Sequence, residues 1–458
     1  MFAALEALCA RIVRRWPVLC AGLVIVAYAY PGALNWDSGD QLLHARHHNL
    51  GDWHPPVMGV YWRWLELVVA GPLAMLLLQA GLFVYGVYAL LCRRLAPRAA
   101  AWLTLAVAAF PPVLTPLAVV WKDAQMAGFL VAGLALALRP ERRPRAIGLA
   151  LLVLASAVRD NGAAVLPPLC LLITAGWQLR GRHRTVAAAA ALVLAIAGVA
   201  VVANRLATHQ HRYPWYNSLA IHDLAGGLCH EAALSDPDVL TYLSGVPLRD
   251  AVPRRDLQRA ICRHYTPRVW FGLTSADDAP FPSTASADER AAIRRAWLAM
   301  VRDHTAAYLG HRWDVMRGVL GLTDDAIWEP VCGGFVASQA QADALDFHYT
   351  PAPLQVRLRD WFATAWAATV LYRPWLYAAL SLLVLLYARA RRDPLIGAVV
   401  ASGLVYEASF FLGAASPDFR YSHWMIVCGV LGAILAVGDA LTRRRCRTAG
   451  ASSTASCG

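Results

Sequence analysis

Charge is what this sequence has little of. Asp, Glu, Lys and Arg make up 16% of its 458 residues, and hydrophobic residues make up 58%. A soluble domain carries about 25% charged residues, so an ordinary soluble globule is excluded. Zinc-ligand spacing is missing too: the ten cysteines are scattered, with no CxxC and no Cys/His pair at metal spacing. No basic helix with interleaved aromatics occurs in the long polar stretch, so the net charge of +12 does not point to nucleic acid. There is no Asn-x-Ser/Thr acceptor, no small-residue cleavage pattern after the first apolar block and no repeat between the two halves.

What the sequence does hold is apolar blocks of roughly 17–25 residues, the length that crosses a hydrocarbon core. Arg-rich clusters separate them at Arg11–Arg15, Arg93–Arg98, Arg139–Arg145, Arg180–Arg184, Arg389–Arg392 and Arg443–Arg447. By the positive-inside rule these clusters face the cytoplasm, both termini with them. The pattern predicts an all-α polytopic membrane protein with about ten transmembrane helices. Residues 1–203 form an N-terminal transmembrane module that would hold the catalytic groups. Residues 204–363 form one large, mainly helical extracytoplasmic domain, and 364–447 the last transmembrane helices. The tail, 448–458, is small and polar, as in a disordered segment. The domain contains Cys229, Cys262 and Cys332; in an oxidising compartment two could pair, and three separate thiols fit the spacing equally well. Tryptophans Trp36, Trp53, Trp62, Trp64, Trp121, Trp375 and Trp424 fall near the outer face, where an aromatic belt is expected. The Ala/Arg-rich style suggests the cytoplasmic membrane of a bacterium.

Polar residues gather in the outer turns. Asn35 to Trp64 packs Asp37, Asp40, His44, His47, His48, Asp52 and His54 between two apolar runs. Such a cluster is costly near a bilayer unless it lines a site. Asp37 and Asp40 are spaced to share a helix face, and a carboxylate at the boundary could take a proton from an alcohol. Asp37, at the end of the first span, is the first choice as base; Asp40 suits the role of helix N-cap. Pro55-Pro56 would aim His54 inward. His44, His47 and His48 with Asp52 could hold a divalent metal ion or form a wet interfacial patch. Three further turns each place a cation beside an acid: Lys122-Asp123, Arg159-Asp160 (followed by Asn161) and Asp418 to Tyr421 with Arg420. Each pair alone is best read as an ion pair tying loops together. Converging, they would ring an acidic centre with Lys122, Arg159 and Arg420, and Arg suits the bidentate grip of a phosphate. A phosphate at the outer lipid–water boundary points to a polyprenyl-phosphate headgroup.

These stretches resemble the GT-C glycosyltransferases of the dolichyl-phosphate-mannose mannosyltransferase and aminoarabinose transferase type. Asp37 in NWDSGDQLLHA stands where the catalytic acid of their first outer loop stands. Gly51-Asp52-Trp53-His54-Pro55-Pro56 resembles their GDW and HPP elements, Lys122-Asp123 their KD element, and Asp418-Phe419-Arg420-Tyr421 their RY element. The first loop departs from the family in having Asp-Ser-Gly-Asp instead of adjacent acids, and 204–362 matches nothing familiar. The resemblance implies an outward-facing enzyme that moves a sugar from a polyprenyl-phosphate carrier to a glycan, lipid or protein acceptor. Arg420, Arg159 and Lys122 would grip the phosphate, Asp37 or Asp40 would act as base, and Asp123 would orient the acceptor or a divalent ion. His54, Asn161 and Tyr421 complete the substrate-binding set. A polytopic transporter or lipid flippase is the rival class. It wants ionisable groups at mid-span, and here Glu407 is the main one. A non-catalytic envelope-assembly subunit would keep its acids and cations apart.

Overall fold

The computed structural model describes residues 2–450 apart from 178, 254, 285, 324–329 and 333–337, with side chains described over 16–444. In chain order the α-helices are α1 Phe2–Ala29, α2 Trp36–Arg46, α3 Val57–Glu66, α4 Leu73–Leu91, α5 Pro97–Ala109, α6 Pro111–Leu117, α7 Lys122–Ala137 and α8 Arg142–Ala157. They continue as α9 Leu166–Ala175, α10 Arg182–Ala207, α11 Ile221–His230, α12 Asp236–Tyr242, α13 Leu257–Cys262, α14 Phe271–Thr274, α15 Ala287–Asp303 and α16 Thr305–Val319. The last are α17 Gln339–Ala344, α18 Pro353–Trp361, α19 Pro374–Arg391, α20 Pro394–Gly413 and α21 His423–Gly450. Among the described residues the only β pairing is two isolated bridges, Ala33 with Val119 and Gly51 with Gln210.

Four described helices are long and apolar enough to cross a bilayer: Leu73–Leu91, Arg182–Ala207, Pro394–Gly413 and Phe419–Arg444. A fifth counts if α5 and α6, bent by 68°, are taken as one broken span. The other expected spans fall on shorter or more polar helices. Leu65–Cys92 is not continuous, because Gly71, at φ +85°, and Pro72 interrupt it before α4. Thr364–Ala388 becomes regular only at Pro374, the first residue of α19. Pro111 and Pro112 cannot continue a helix from α5, so Phe110 is extended and the two prolines open the new helix α6. Carbonyls freed near that break are satisfied by Gln79, whose Nε2 donates to Leu117 O at 2.7 Å and Val119 O at 2.9 Å. Backbone in an apolar setting needs such partners.

Helix α7 runs through the centre and is buried almost along its whole length. Glycines let its neighbours close on it. A Cβ on Gly86 of α4 would come within 2.4 Å of the Ala132 nitrogen, and one on Gly148 of α8 within 2.3 Å of the Ala137 nitrogen. The N-terminal end of α7, carrying Lys122 and Asp123, is therefore rigidly placed. The two bridges then bring other segments to it. Val120 N donates to Ala33 O at 2.9 Å, which sets the start of α2 beside Lys122. Asp52 N donates to Gln210 O at 3.1 Å, which ties the first outer loop to the chain leaving α10.

A second apolar core is built from residues between Ala220 and Tyr308, contributed mainly by α11 to α13, α15 and the start of α16. Ile293 and Met300 of α15 point into it, with Trp297 and Val301 against it. From Val315 onward the chain packs into the first core. A disulfide joins Cys229 to Cys262, and Cys332 takes no part in it. Two sequence expectations are corrected. Trp62, Trp121 and Trp424 are fully buried core residues and not part of a lipid-facing belt, whereas Trp36 and Trp64 are exposed. The helix α21 continues through Gly450, over the first residues of the expected disordered tail; residues 451–458 lie outside the described part.

Candidate functional site

One cavity of about 510 Å³ opens where these polar turns meet. Asp37, His54, Lys122, Arg159, Asn161, Arg420 and Tyr421 all line it. Four separate turns are thus brought to a single hollow. Local structure explains each placement. Asn35 caps α2, its Oδ1 accepting from Ser38 N at 3.1 Å while Ser38 Oγ accepts from Asn35 N at 2.9 Å. This reciprocal cap sets Asp37 in the first helical turn. Asp40 is therefore not the cap. It lies a turn further on, beside His44 Nδ1 at 3.3 Å, and borders a separate recess of about 10 Å³.

Arg420 is the hub. Its Nη2 donates to Asp37 Oδ2 at 2.6 Å, and its Nε lies 2.7 Å from Asp418 Oδ2 and 4.0 Å from Asp123 Oδ2. The guanidinium carbon sits 5.0 Å from the Trp121 ring centroid. Arg159 Nε faces Asp123 Oδ1 at 3.3 Å and the Tyr406 hydroxyl at 3.3 Å, with the Tyr421 ring 4.5 Å from its guanidinium carbon. The Tyr421 ring stacks on Phe410 at 4.9 Å. Asp123 is buried behind the cavity wall between the two arginines, so it orients them and does not line the hollow. Asn161 Nδ2 donates to Ser409 Oγ at 2.8 Å, tying its turn to α20.

Lys122 differs from the arginines. It is buried, and among the described residues no carboxylate lies within ion-pair distance of it. Its Nζ donates to His54 Nδ1 at 3.2 Å, which leaves the His54 proton on Nε2, 3.8 Å from Asp37 Oδ1. Burial and the Lys122 charge hold the His54 imidazole down at about 3, so it is neutral at ordinary pH. Burial works to raise the Asp37 carboxyl, but Arg420, then His54 and Lys122, outweigh it and hold the group well below the usual carboxylate range. Burial likewise works against the Arg159 charge, and the Asp123 carboxylate outweighs that.

Two donor groups here are underused. Among the described residues, Lys122 has two further N–H bonds to give, and Arg420 Nη1 is buried with no hydrogen-bond acceptor. A buried, underused pair of cations in an open cavity is a seat for an anion. A metal is less well served. Among the described residues no group of three or more His, Cys, Asp or Glu is assembled. Asp52 is engaged by His211 Nδ1 at 3.2 Å, and His44 Nε2 meets Arg212 Nη2 at 3.0 Å, so the His-rich loop does not converge on one point.

Several contributors carry no local signal that marks them. Asp418 pairs with Arg420 as their shared turn suggests, but Tyr406 lies on a helix face with nothing to distinguish it. Trp53, Trp270 and Phe271 also line the cavity, and the last two come from the unit that resembles nothing familiar. Compared with protein-family models, with curated proteins and with solved structures, the chain matches none.

Proposed function

We propose that the chain is an integral membrane glycosyltransferase that moves a sugar from a polyprenyl-phosphate carrier to an acceptor. The reading includes about ten membrane crossings, several of them by short helices packed inside the bundle, and both termini in the cytoplasm. It sets the cavity on the outer face of a bacterial cytoplasmic membrane; the Cys229–Cys262 disulfide supports an oxidising compartment for that side. The observation that carries the reading is the meeting of Asp37, Lys122, Arg159 and Arg420 at one cavity.

The chemistry runs as follows. The donor phosphate takes the unused N–H groups of Lys122 and Arg420, with Arg159 beside them. Its negative charge competes with Asp37 for Arg420 and loosens the 2.6 Å contact. Released, Asp37 becomes basic enough to accept the proton of an acceptor hydroxyl. The acceptor oxygen bonds to the anomeric carbon as the bond from that carbon to the phosphate oxygen breaks. The electron pair leaves with polyprenyl phosphate, whose growing charge the cations stabilise. The transporter reading draws on Glu407, which is buried in α20 with Ser422 Oγ donating to it at 2.8 Å; that residue does not line the cavity.

The test uses the full chain in nanodiscs with farnesyl phosphate as probe, and membranes with radiolabelled lipid-linked sugars for transfer. A charge-assisted hydrogen bond is worth about 1.5–3 kcal/mol, so Lys122→Ala and Arg159→Ala should each weaken farnesyl phosphate binding by roughly 10- to 100-fold. Asp37→Asn should abolish transfer while keeping or tightening that binding, because Arg420 loses its competing carboxylate. Binding that ignores both cations, or transfer that survives Asp37→Asn, overturns the reading.

A further inference from the structure

The two walls of the cavity differ in kind. The membrane-side wall holds the cations and Asp37. The wall from the second unit contributes Pro214, Ser218, Leu219, Val269, Trp270 and Phe271, with no ionisable side chain among them. Trp53 joins that wall from the first outer loop. Its ring lies 5.3 Å from that of Trp270 at an angle of 54°, and Phe271 lies 4.5 Å beyond at 42°. The three rings make an aromatic corner, with Trp53 and Trp270 half-buried and open to the hollow.

The corner is held firmly. His222 Nε2 donates to Thr266 O at 2.8 Å, Leu273 N donates to Trp270 O at 2.9 Å, and the disulfide at Cys262 anchors the chain just before it. Asp160 lines the same cavity next to Arg159 and its carboxylate acts on the Lys122 ammonium, so it belongs with the charged groups and not with the aromatic corner. Aromatic faces with a few polar groups suit a ring that has one apolar C–H face and a rim of hydroxyls.

We infer that the Trp53–Trp270–Phe271 corner is the acceptor subsite, and that the acceptor presented there is an uncharged sugar ring. The assignment rests on the glycosyl-transfer reading of the cavity and adds the class of acceptor to it. The hydroxyl that attacks would then project from a ring packed on Trp270 toward Asp37, which lines the same cavity.

The experiment measures binding without turnover. The full chain in nanodiscs is titrated with fluorescently tagged neutral oligosaccharides, with uronic-acid-containing counterparts, with Ser-rich peptides and, separately, with farnesyl phosphate. At least one neutral oligosaccharide should bind more tightly than any acidic one or any peptide. Trp270→Ala should weaken it tenfold or more, Trp270→Tyr should restore most of that, and neither should change farnesyl phosphate binding. Phe271→Ala, at a half-exposed position, gives a second reading if Trp270→Ala yields poorly folded protein. If farnesyl phosphate binds through Lys122 but no neutral oligosaccharide does, or acidic sugars or peptides win, the acceptor assignment falls and the transferase reading stands. Loss of farnesyl phosphate binding in Trp270→Ala makes the corner a seat for the lipid chain and also overturns the assignment. Absence of both kinds of binding removes the transferase reading, and the subsite with it.

Discussion

Arg312 should decide whether the second unit stays docked on the membrane bundle. It is fully buried on α16 and reaches the C-terminal end of α20. Its Nε donates to Phe411 O at 2.6 Å, its Nη2 to Phe410 O at 3.0 Å, and its Nη1 to Ala414 O at 2.8 Å and to Asp223 Oδ1 at 3.0 Å. The last carbonyls of a helix have no partner within it, and a cation there also suits the helix dipole. Asp223 in turn accepts from His311 Nε2 at 3.0 Å and Trp297 Nε1 at 2.8 Å. One side chain therefore joins the buried core of the second unit to the helix whose Phe410 and Gly413 border the cavity.

Arg312→Ala removes four hydrogen bonds and leaves Asp223 with two neutral donors. Breaking a buried ion pair by deleting one partner costs about 3–5 kcal/mol. Four charge-assisted bonds at about 1.5–3 kcal/mol each would exceed that, but water entering the vacated space recovers part, so the lower range is the one to expect. At about 4 kcal/mol the docking equilibrium shifts nearly a thousandfold. Hydrogen–deuterium exchange reads this directly, as faster exchange in α11, α16 and the last turn of α20 with α7 unchanged. Arg312→Lys should recover little, because one ammonium cannot fan out to three carbonyls and a carboxylate. A shift below about 1 kcal/mol, with protection at α20 intact, would refute the reasoning.

Two further outcomes follow from the second unit. Burial, helped by His311, holds the buried His222 ring down at about 3, from 6.5, with Asp223, Arg312 and Tyr265 around it. The unfolded chain therefore binds a proton there that the folded one does not, so stability is complete above pH 6.5 and falls as pH drops toward 3. The loss is about 2 kcal/mol at pH 5, and melting of the unit followed by proteolysis at pH 7 and 5 should show it, with His222→Gln reducing the difference. The disulfide closes a separation of 33 residues, so Cys229→Ala with Cys262→Ala should lower stability by roughly 2–4 kcal/mol, read as earlier protease cleavage between residues 229 and 274. Unchanged cleavage would mean that the loop is held by its apolar core alone.

Most of what was legible in the sequence was legible because of cost. Polar residues beside apolar blocks are expensive unless they serve something, which is why Asp37, Lys122, Arg159 and Arg420 stood out before any geometry was known. The helix break at Pro111 was also local, since proline acts on its own backbone, whereas Leu65–Cys92 read as one span and the interruption at Gly71-Pro72 was missed. Burial of Trp62, Trp121 and Trp424 was not legible. An indole is equally at home in a lipid interface and in a core, and only the neighbouring helices choose between them. The capping role given to Asp40 failed for a similar reason: Asn35 and Ser38 compete for the same helix start, and a reciprocal cap wins over a single carboxylate.

Pairing was the other thing hidden. Which acid meets which cation depends on residues hundreds of positions apart, as with Asp37 and Arg420, and no spacing rule reaches that far. Yet pairing decides the chemistry. A carboxylate in contact with a guanidinium is kept ionised and is a poor proton acceptor, so the resting site, on the proposed reading, is held off by its own charges. An incoming phosphate that draws Arg420 away supplies both the binding energy and the basicity. The acceptor is then activated only once the donor is in place, which protects the lipid-linked sugar from water that arrives first. If Asp37 and Arg420 work this way, the donor must bind before the acceptor in steady-state kinetics, and removing the Arg420 contact must abolish that order before it abolishes binding.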